Sequence, residues 1–446
     1  MLPLLRINDL SIDFVSESGI TSALKNISLS IDRSQIFAIV GESGSGKSVT
    51  VLSILQLLSN SAKFKSGEII FSEDGKNEID LIGLSNRELQ KIRGNKIAMI
   101  FQEPMTSMNP VFTCGDQVAE SLQLHKKISF AEAKQQAIEW FRKVKLPEPE
   151  KVFSKYPHQL SGGQKQRVMI AMAMCCKPSL LICDEPTTAL DVTVQKNILQ
   201  LIRELQEEQK MGVIFITHDL GVVSEIADTI AVMYKGEIVE TNTMKEIFVN
   251  PQHPYTKGLL ACRPVFHKKG ERLPVVSDFL KTISDGQQAI VKPGKPGAAP
   301  VLSDQSPTVL LSAKNLSVWF PVKKNILGKT LLFTRAVDDV SFDVLKGETL
   351  GLVGESGCGK TTLGRTLLRL IEPTKGEIIY DGNDLTKKTR DEIKPLRKEI
   401  QLVFQDPYSS LNPRLTIGSA IAEPLKVHGL YKNEKQRKEK VIALLE

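Results

Sequence analysis

At 446 residues the chain can hold two or three domains, each with its own core, and 41% hydrophobic with 24% charged residues is ordinary globular composition. A net charge of +7 is mild over this length, and Lys432 to Lys440 interleaves lysine with glutamate as a solvated helix face does, so no nucleic-acid partner is expected. Six cysteines without a C-x-x-C pair argue against zinc and disulfide frameworks and fit a reducing cytoplasm, and with no positive-then-apolar leader and no apolar run of about 18 residues, any membrane span is expected from other chains.

From the start to about residue 250, strand-like and helix-like segments alternate, the pattern of an α/β domain. The apolar run Ile36 to Val40 reads as a strand. Gly41-Glu42-Ser43-Gly44-Ser45-Gly46-Lys47-Ser48 follows it and opens a helical pattern. This spacing, G-x-x-x-x-G-K-[ST], is that of a phosphate-cradling P-loop. Its glycines let backbone N–H groups turn inward, and the helix start adds a favourable dipole. Gly41, Ser43, Gly44, Ser45, Gly46 and Val49 are candidates to hold a nucleotide. Lys47 should reach the β- and γ-phosphates, and the Ser48 hydroxyl should ligate Mg²⁺. Phe101-Gln102-Glu103-Pro104 comes next. Residues 112–178 carry helix patterns with no convincing strand, which suggests a helical subdomain inserted into the sheet domain. Within it, Leu160-Ser161-Gly162-Gly163-Gln164 precedes a helical run to Cys176. Those glycines free backbone donors at a helix start, a second phosphate-binding surface, although alone they would read as a linker.

Leu180 to Cys183 is a short continuous apolar run, as in a strand buried on both faces, and Asp184-Glu185-Pro186 follows it. Two carboxylates at a strand's C-terminal edge lie where open α/β sheets bind ligands. Asp184 suits the Mg²⁺ shell, and Glu185 is placed to polarise an attacking water. A helix N-cap is the plain alternative, and register with a P-loop decides against it. Thr193 to Lys210 has helical periodicity. Val213 to Ile216 and Ile230 to Met233 repeat the buried-strand pattern, and His218 stands just past the first of these. Residues 285–308 are rich in Pro, Gly, Ser and Gln, a flexible linker composition, and a second α/β pattern starts near Val309.

That second pattern repeats the first. Gly354-Glu355-Ser356-Gly357-Cys358-Gly359-Lys360-Thr361 is a second P-loop, after the strand-like run Thr349 to Val353, and Phe404-Gln405-Asp406-Pro407 matches residues 101–104. Lys360 follows Lys47 by 313 positions and Gln405 follows Gln102 by 303, so the register holds to within ten residues and a whole domain is duplicated. Gly354, Ser356, Gly357, Cys358, Gly359, Lys360, Thr361 and Thr362 are candidates for a second nucleotide site, with Thr361 facing its Mg²⁺ and Gln405 in the place of Gln102. Val441 to Glu446 read as mid-helix, so the second copy is expected to be cut inside its helical insertion.

The ordered set of P-loop, Gln102, Leu160 to Gln164, Asp184 with Glu185, Ala189-Leu190-Asp191 and His218 resembles that of ATP-binding-cassette ATPases, over almost the whole chain. The resemblance implies a duplicated α/β P-loop cassette: a mainly parallel sheet core, an antiparallel β subdomain and an inserted helical subdomain, with the second copy incomplete. It implies ATP and Mg²⁺ as ligands. Gln102 would contact Mg²⁺ or water and sense a membrane partner. Ser161, Gly162 and Gly163, with Gln164, would form the signature that contacts the γ-phosphate bound on an opposite domain. Asp191 would lie between domains, and His218 would sit at the γ-phosphate. Phe14 is the best candidate to stack on adenine, with Phe320 its counterpart; a core aromatic is the alternative for both.

A narrower resemblance concerns Pro251-Gln252-His253-Pro254-Tyr255-Thr256-Lys257-Gly258-Leu259-Leu260 and the segment from Phe101 to Pro110. Both are similar to ATPases of oligopeptide, dipeptide and nickel importers, and the tandem arrangement to fused ATPases of peptide, microcin-C-type and glutathione importers. The alternative for residues 251–260 is a plain turn and surface helix. Some such relatives carry a cysteine cluster after this extension; here only Cys262 stands there, and no iron–sulfur centre is expected. The implied domains are a first cassette (1–250), an extension (251–284), a linker (285–308) and a second cassette (309–446). The implied partners are two membrane permeases and a periplasmic solute-binding protein, at the cytoplasmic face of a bacterial inner membrane. Two first cassettes from separate chains could also pair head to tail. Met105 and Met108 read as exposed contact residues for a permease. A tandem cassette acting on ribosomes or DNA, or an export ATPase, is the alternative reading.

Overall fold

The computed structural model describes residues 2–17, 19–102, 107–188, 190–263, 267, 273–275, 279, 308–324, 330–404 and 410–446. The expectations placed on Met105, on Gln405, on Ala189 and on most of the 285–308 linker lie outside the described residues. The chain divides into two compact units, residues 1–301 and 302–446.

In the first unit, β3 (Ile36–Val40), β7 (Leu180–Asp184) and β8 (Gly212–Thr217) are buried at every position. Such unbroken apolar runs need cover on both faces, which a parallel sheet between two layers provides. The six-stranded sheet runs β10 (Glu237–Thr243), β9 (Thr229–Tyr234), β3, β8, β7, β6 (Ile97–Ile100). Only β10 is antiparallel to its neighbour. Side chains alternate between two cores along each strand. Leu180, Ile182, Ile214 and Ile216 join one apolar cluster, and Leu181, Cys183, Val213 and Phe215 join the other. Each such fully buried aliphatic side chain stabilises the fold by roughly 1.5–3 kcal/mol.

The first cluster is closed by an antiparallel sheet, β2 (Gly19–Ile31), β1 (Leu5–Ser16), β4 (Ala62–Phe71), β5 (Ile79–Asp80), and by α1 (Lys47–Ile54). The second is closed by α3 (Cys114–Lys126), α4 (Phe130–Lys143), α5 (Pro149–Phe153) and α6 (Gly162–Met174), the helical insertion, and by α7 (Val192–Gln209). A short α2 (Asn86–Ile92) precedes β6. Helices α8 (Leu220–Ile226), α9 (Met244–Val249) and α10 (Pro254–Ala261) surround a third, smaller cluster. No helix among the described residues is long and apolar enough to cross a membrane.

Met108 departs from expectation. It is 2% exposed and packs in the helical-layer core. Gln117 pins the chain beside it, accepting from Asn109 N at 2.9 Å and donating to Asn109 O at 3.0 Å.

The second unit holds an antiparallel sheet, β12 (Thr330–Leu345), β11 (Val309–Lys324), β13 (Lys375–Tyr380), β14 (Asn383–Asp384), with α11 (Lys360–Leu367), α12 (Arg390–Ile393), α13 (Ile417–Val427) and α14 (Glu434–Leu445). The strand expected at Thr349 to Val353 is not formed, and Leu350, Leu352 and Val353 are exposed. In the first unit the matching β3 is held on both edges, by β8 and β9. Among the described residues of the second unit no strand takes that place beside residues 349–353. An apolar run becomes a strand only when another strand takes its hydrogen bonds.

Candidate functional site

The P-loop leaves β3 by a turn that only glycine fits. A Cβ on Gly41 would stand 2.2 Å from Met233 O, and one on Gly46, the left-handed N-cap of α1 (φ 106°), would stand 2.9 Å from Leu24. The loop borders a cavity of about 460 Å³. Ser43, Gly44, Gly46, Lys47, Ser48 and Val49 line one wall, and Gln102 with Glu185 the end. The rest of the lining comes from Thr21, Ser22, Ala23 and Lys25 of β2 and from the turn Lys235–Gly236 between β9 and β10, which adjoins the P-loop, Gly236 N donating to Ser45 O at 3.0 Å. The sequence reading missed this part of the lining. Its one signal is the repeat: Ala336 stands 313 positions after Ala23, and the carbonyls of both approach the P-loop glycines Gly359 and Gly46.

Lys47 is buried, and its Nζ donates to Gly41 O at 2.9 Å and Glu42 O at 2.8 Å. Burial lowers its pKa, opposed by the charges of Glu185, Asp184 and Glu42. Asp184 ends β7, and its Oδ1 accepts from Ser48 Oγ at 3.2 Å. Burial raises its pKa, the Ser48 bond opposes this, and the Glu185 charge adds to it. A hydroxyl beside a desolvated carboxylate is a hard-oxygen pair of the kind Mg²⁺ takes, so these residues fit that ion. Ser45 Oγ is buried without a hydrogen-bond partner among the described residues, and Ser45 does not line the cavity.

Glu185 has φ +47°, rare for a non-glycine residue, and this left-handed kink turns its side chain toward the cavity. Its carboxylate is held by three groups. Gln102 Nε2 donates to Oε2 at 3.1 Å, Thr188 Oγ1 donates to Oε2 at 3.0 Å, and His218 Nδ1 lies 3.2 Å from Oε1. The structure thus brings Gln102, Glu185 and His218 together beside Lys47, Ser48 and Asp184.

Other candidates lie elsewhere. Ser161 caps α6, accepting from Gln164 N at 3.3 Å, while Gln164 Oε1 accepts from Ser161 N at 3.2 Å. Ser161 and Gly162 are exposed and outside the cavity wall, and Gly163 packs on Val194. Asp191 caps α7. Phe14 does not line the cavity; it packs, half-buried, against the apolar core, the alternative weighed for it. Phe320 is 41% exposed on β11.

The second P-loop has the same backbone. Gly354, Gly357 and Gly359 have φ of 154°, 83° and 102°, against 155°, 78° and 106° at Gly41, Gly44 and Gly46. Lys360 Nζ again donates to the two loop carbonyls, Gly354 O and Glu355 O, each at 2.6 Å, and lies 3.5 Å from Cys358 Sγ. Thr361 and Thr362 begin α11 as Ser48 and Val49 begin α1. Ser356 and Gly357 complete the exposed loop.

The family "ABC transporter" matches residues 24–188 and 337–446, and "Oligopeptide/dipeptide transporter, C-terminal region" matches residues 239–284. The chain is 47% identical over 434 residues to the glutathione import ATP-binding protein GsiA of Salmonella choleraesuis, spanning 96% of this chain and 68% of that protein. GsiA of Shigella sonnei is 48% identical with the same coverage, and GsiA of Pectobacterium atrosepticum 46% identical over 98% of this chain and 70% of its own. Among solved structures, the dimeric post-hydrolysis form of the ATP-binding cassette MJ0796 with ADP and Pi is 31% identical over 54% of this chain and 98% of its own, with a TM-score of 0.48. The chain belongs to the ATP-binding ATPases of ABC transporters, and to their oligopeptide and dipeptide branch.

Proposed function

We propose that this chain is a tandem-cassette ATPase that powers uptake of a short peptide or peptide-like solute, of the class that includes glutathione. The observation that carries the chemistry is the Glu185 carboxylate, held by Gln102, Thr188 and His218 at the end of the P-loop cavity. The solute class rests on the GsiA relatives and on the matched C-terminal region.

In this reading Lys47 gives up its two carbonyl contacts and pairs with the β- and γ-phosphates of ATP, while Gly44, Ser45 and Gly46 present backbone N–H groups to them. Ser48, Asp184 and Gln102 would hold Mg²⁺, which would neutralise charge on the phosphate oxygens. Glu185 orients the attacking water and accepts its proton. Gln102 and His218 fix the two carboxylate oxygens, so the base is positioned before water arrives. Gly354 to Thr362, with Gln405, hold a second nucleotide in the same manner. Ser161 to Gln164 meet a γ-phosphate presented by another cassette, a second chain being one source. The partners are two permeases and a periplasmic solute-binding protein, with this chain on the cytoplasmic face of the inner membrane.

Reconstitution tests the proposal. The chain is combined in proteoliposomes with two permeases and a periplasmic solute-binding protein of a peptide importer. Uptake of glutathione, dipeptides and oligopeptides is then measured with and without ATP. ATP-dependent uptake of one of these is expected; ATP-driven movement outward, or none with any peptide, would defeat the reading.

A further inference from the structure

The segment Pro251 to Leu260 takes no part in the chemistry above, yet it reaches the P-loop from behind. Its path is set step by step. The Glu240 carboxylate accepts from Gln252 N at 2.8 Å and from His253 N at 3.0 Å. His253 then caps α10, its Nδ1 accepting from Tyr255 N at 3.2 Å, and Pro254 begins the helix. Tyr255 is thereby buried completely, among Ala38, Val40, Val223, Ile230 and Val232. Burial pushes its phenol up to about 12, so the hydroxyl stays protonated.

At the inner end of that side chain, Tyr255 Oη accepts the N–H of Glu42 at 3.0 Å. The carbonyl of the same peptide unit, Gly41 O, accepts from Lys47 Nζ at 2.9 Å. One peptide plane is therefore gripped at both ends, by the P-loop lysine and by the C-terminal extension. The Tyr255 ring also lies 4.3 Å from the ring of Tyr234, whose strand leads into Lys235 and Gly236 of the cavity lining.

We propose that Tyr255 is a positioning residue of the nucleotide site: the extension fixes the Gly41–Glu42 peptide and so holds the P-loop in its phosphate-accepting shape. This deepens the ATP-site reading and rests on it. A peptide next to glycine turns easily. Turned over, it would aim Gly41 O at the Tyr255 side and the Glu42 N–H at the Lys47 ammonium, so the lysine would lose an acceptor and face a donor. The Tyr255 hydroxyl removes that freedom by giving the N–H a partner that it can reach in one orientation only.

The test is Tyr255→Phe in the full chain, which keeps every ring carbon and removes only the oxygen. Three readouts are compared with wild type: hydrogen exchange at the Glu42 amide, affinity for Mg-ATP by calorimetry, and the thermal midpoint. The expected result is exchange at Glu42 faster by at least about tenfold with the β3 amides unchanged, and ATP affinity weaker by about 5- to 10-fold, for a lost bond to a partly buried donor. The midpoint should move by only a few degrees. Tyr255→Leu, which also lacks the oxygen, should give the same exchange at Glu42. A lower midpoint with unchanged Glu42 exchange and unchanged affinity would reduce Tyr255 to core packing and overturn the proposal. Should wild type itself not bind ATP, the ATP-site reading falls, while exchange at Glu42 still judges the strut.

Discussion

Gln102 Nε2 stands 3.1 Å from Glu185 Oε2, although 83 positions separate the two residues. Gln102 follows the end of β6 and Glu185 the end of β7, and the two strands are parallel neighbours. Their C-terminal ends therefore fall at one edge of the sheet, beside the P-loop.

Glu185→Gln should keep Mg-ATP affinity and nearly abolish turnover. The amide has the same shape and can still touch Gln102, but it cannot take a proton from water. The expected loss in kcat is about 10²- to 10⁴-fold, the usual contribution of a positioned general base. Calorimetry and a phosphate-release assay on one preparation decide it. Turnover near wild type would remove Glu185 from its role.

The chemistry-bearing wall was legible in the sequence because its residues obey fixed spacings. The P-loop glycines and Lys47 are contiguous, and Asp184 and Glu185 follow a run that could only be a buried strand. The rest of the lining was not. Thr21 to Ala23 and Lys235–Gly236 are placed by sheet register, Ile12 opposite Leu24 and Glu237 opposite Tyr234, and register is not written in any one segment. Phe14 shows the same limit: an aromatic on a half-buried strand reads alike whether it packs inward or stacks on a base. Thr349 to Val353 failed for a third reason, since strand propensity is realised only beside partner strands.

Asp184→Asn should stabilise the nucleotide-free chain, and by more as pH rises. Burial raises the Asp184 pKa, so the folded state holds its proton more tightly than the unfolded state. Below the ordinary value of about 3.9 the group is neutral in both states and costs nothing. As pH climbs from there through the raised value, the unfolded chain ionises first, and wild-type stability falls before levelling off. Asparagine does not titrate. Urea unfolding of both proteins between pH 4 and 7 should show a gap that widens with pH, by about 1.4 kcal/mol per unit of displacement. A gap that narrows would contradict the raised pKa. The same variant should lose the Mg²⁺-dependent part of ATP affinity.

Two glycine substitutions should separate steric exclusion from backbone strain. An added Cβ at Gly41 meets Met233 O at 2.2 Å, and the strand carbonyl has nowhere to go. At Gly44 nothing lies within 4 Å, and only its φ of +78° opposes a side chain. Gly41→Ala should therefore abolish measurable ATP binding. Gly44→Ala should cost about 1–2 kcal/mol of stability and keep binding. Equal behaviour of the two variants would mean that the Gly41 turn relaxes without consequence.

Lys47→Met should trade no ligand-free stability for its loss of function. Lys47 is 5% exposed, and burial of its charge is the largest influence on its pKa. Methionine fills the same volume without that charge, so the thermal midpoint without nucleotide should stay level or rise. Nucleotide should raise it far less than in wild type. A ligand at a hundred times its dissociation constant adds about 2.7 kcal/mol to the folded state. Removing the cation that meets the phosphates costs about 1.5–3 kcal/mol of that binding, the worth of hydrogen bonds to a charged group. Thermal unfolding with and without Mg-ATP reads both effects in one titration. A structural lysine, serving only to tie Gly41 O and Glu42 O together, would give the reverse: a lower midpoint without nucleotide and an undiminished shift with it.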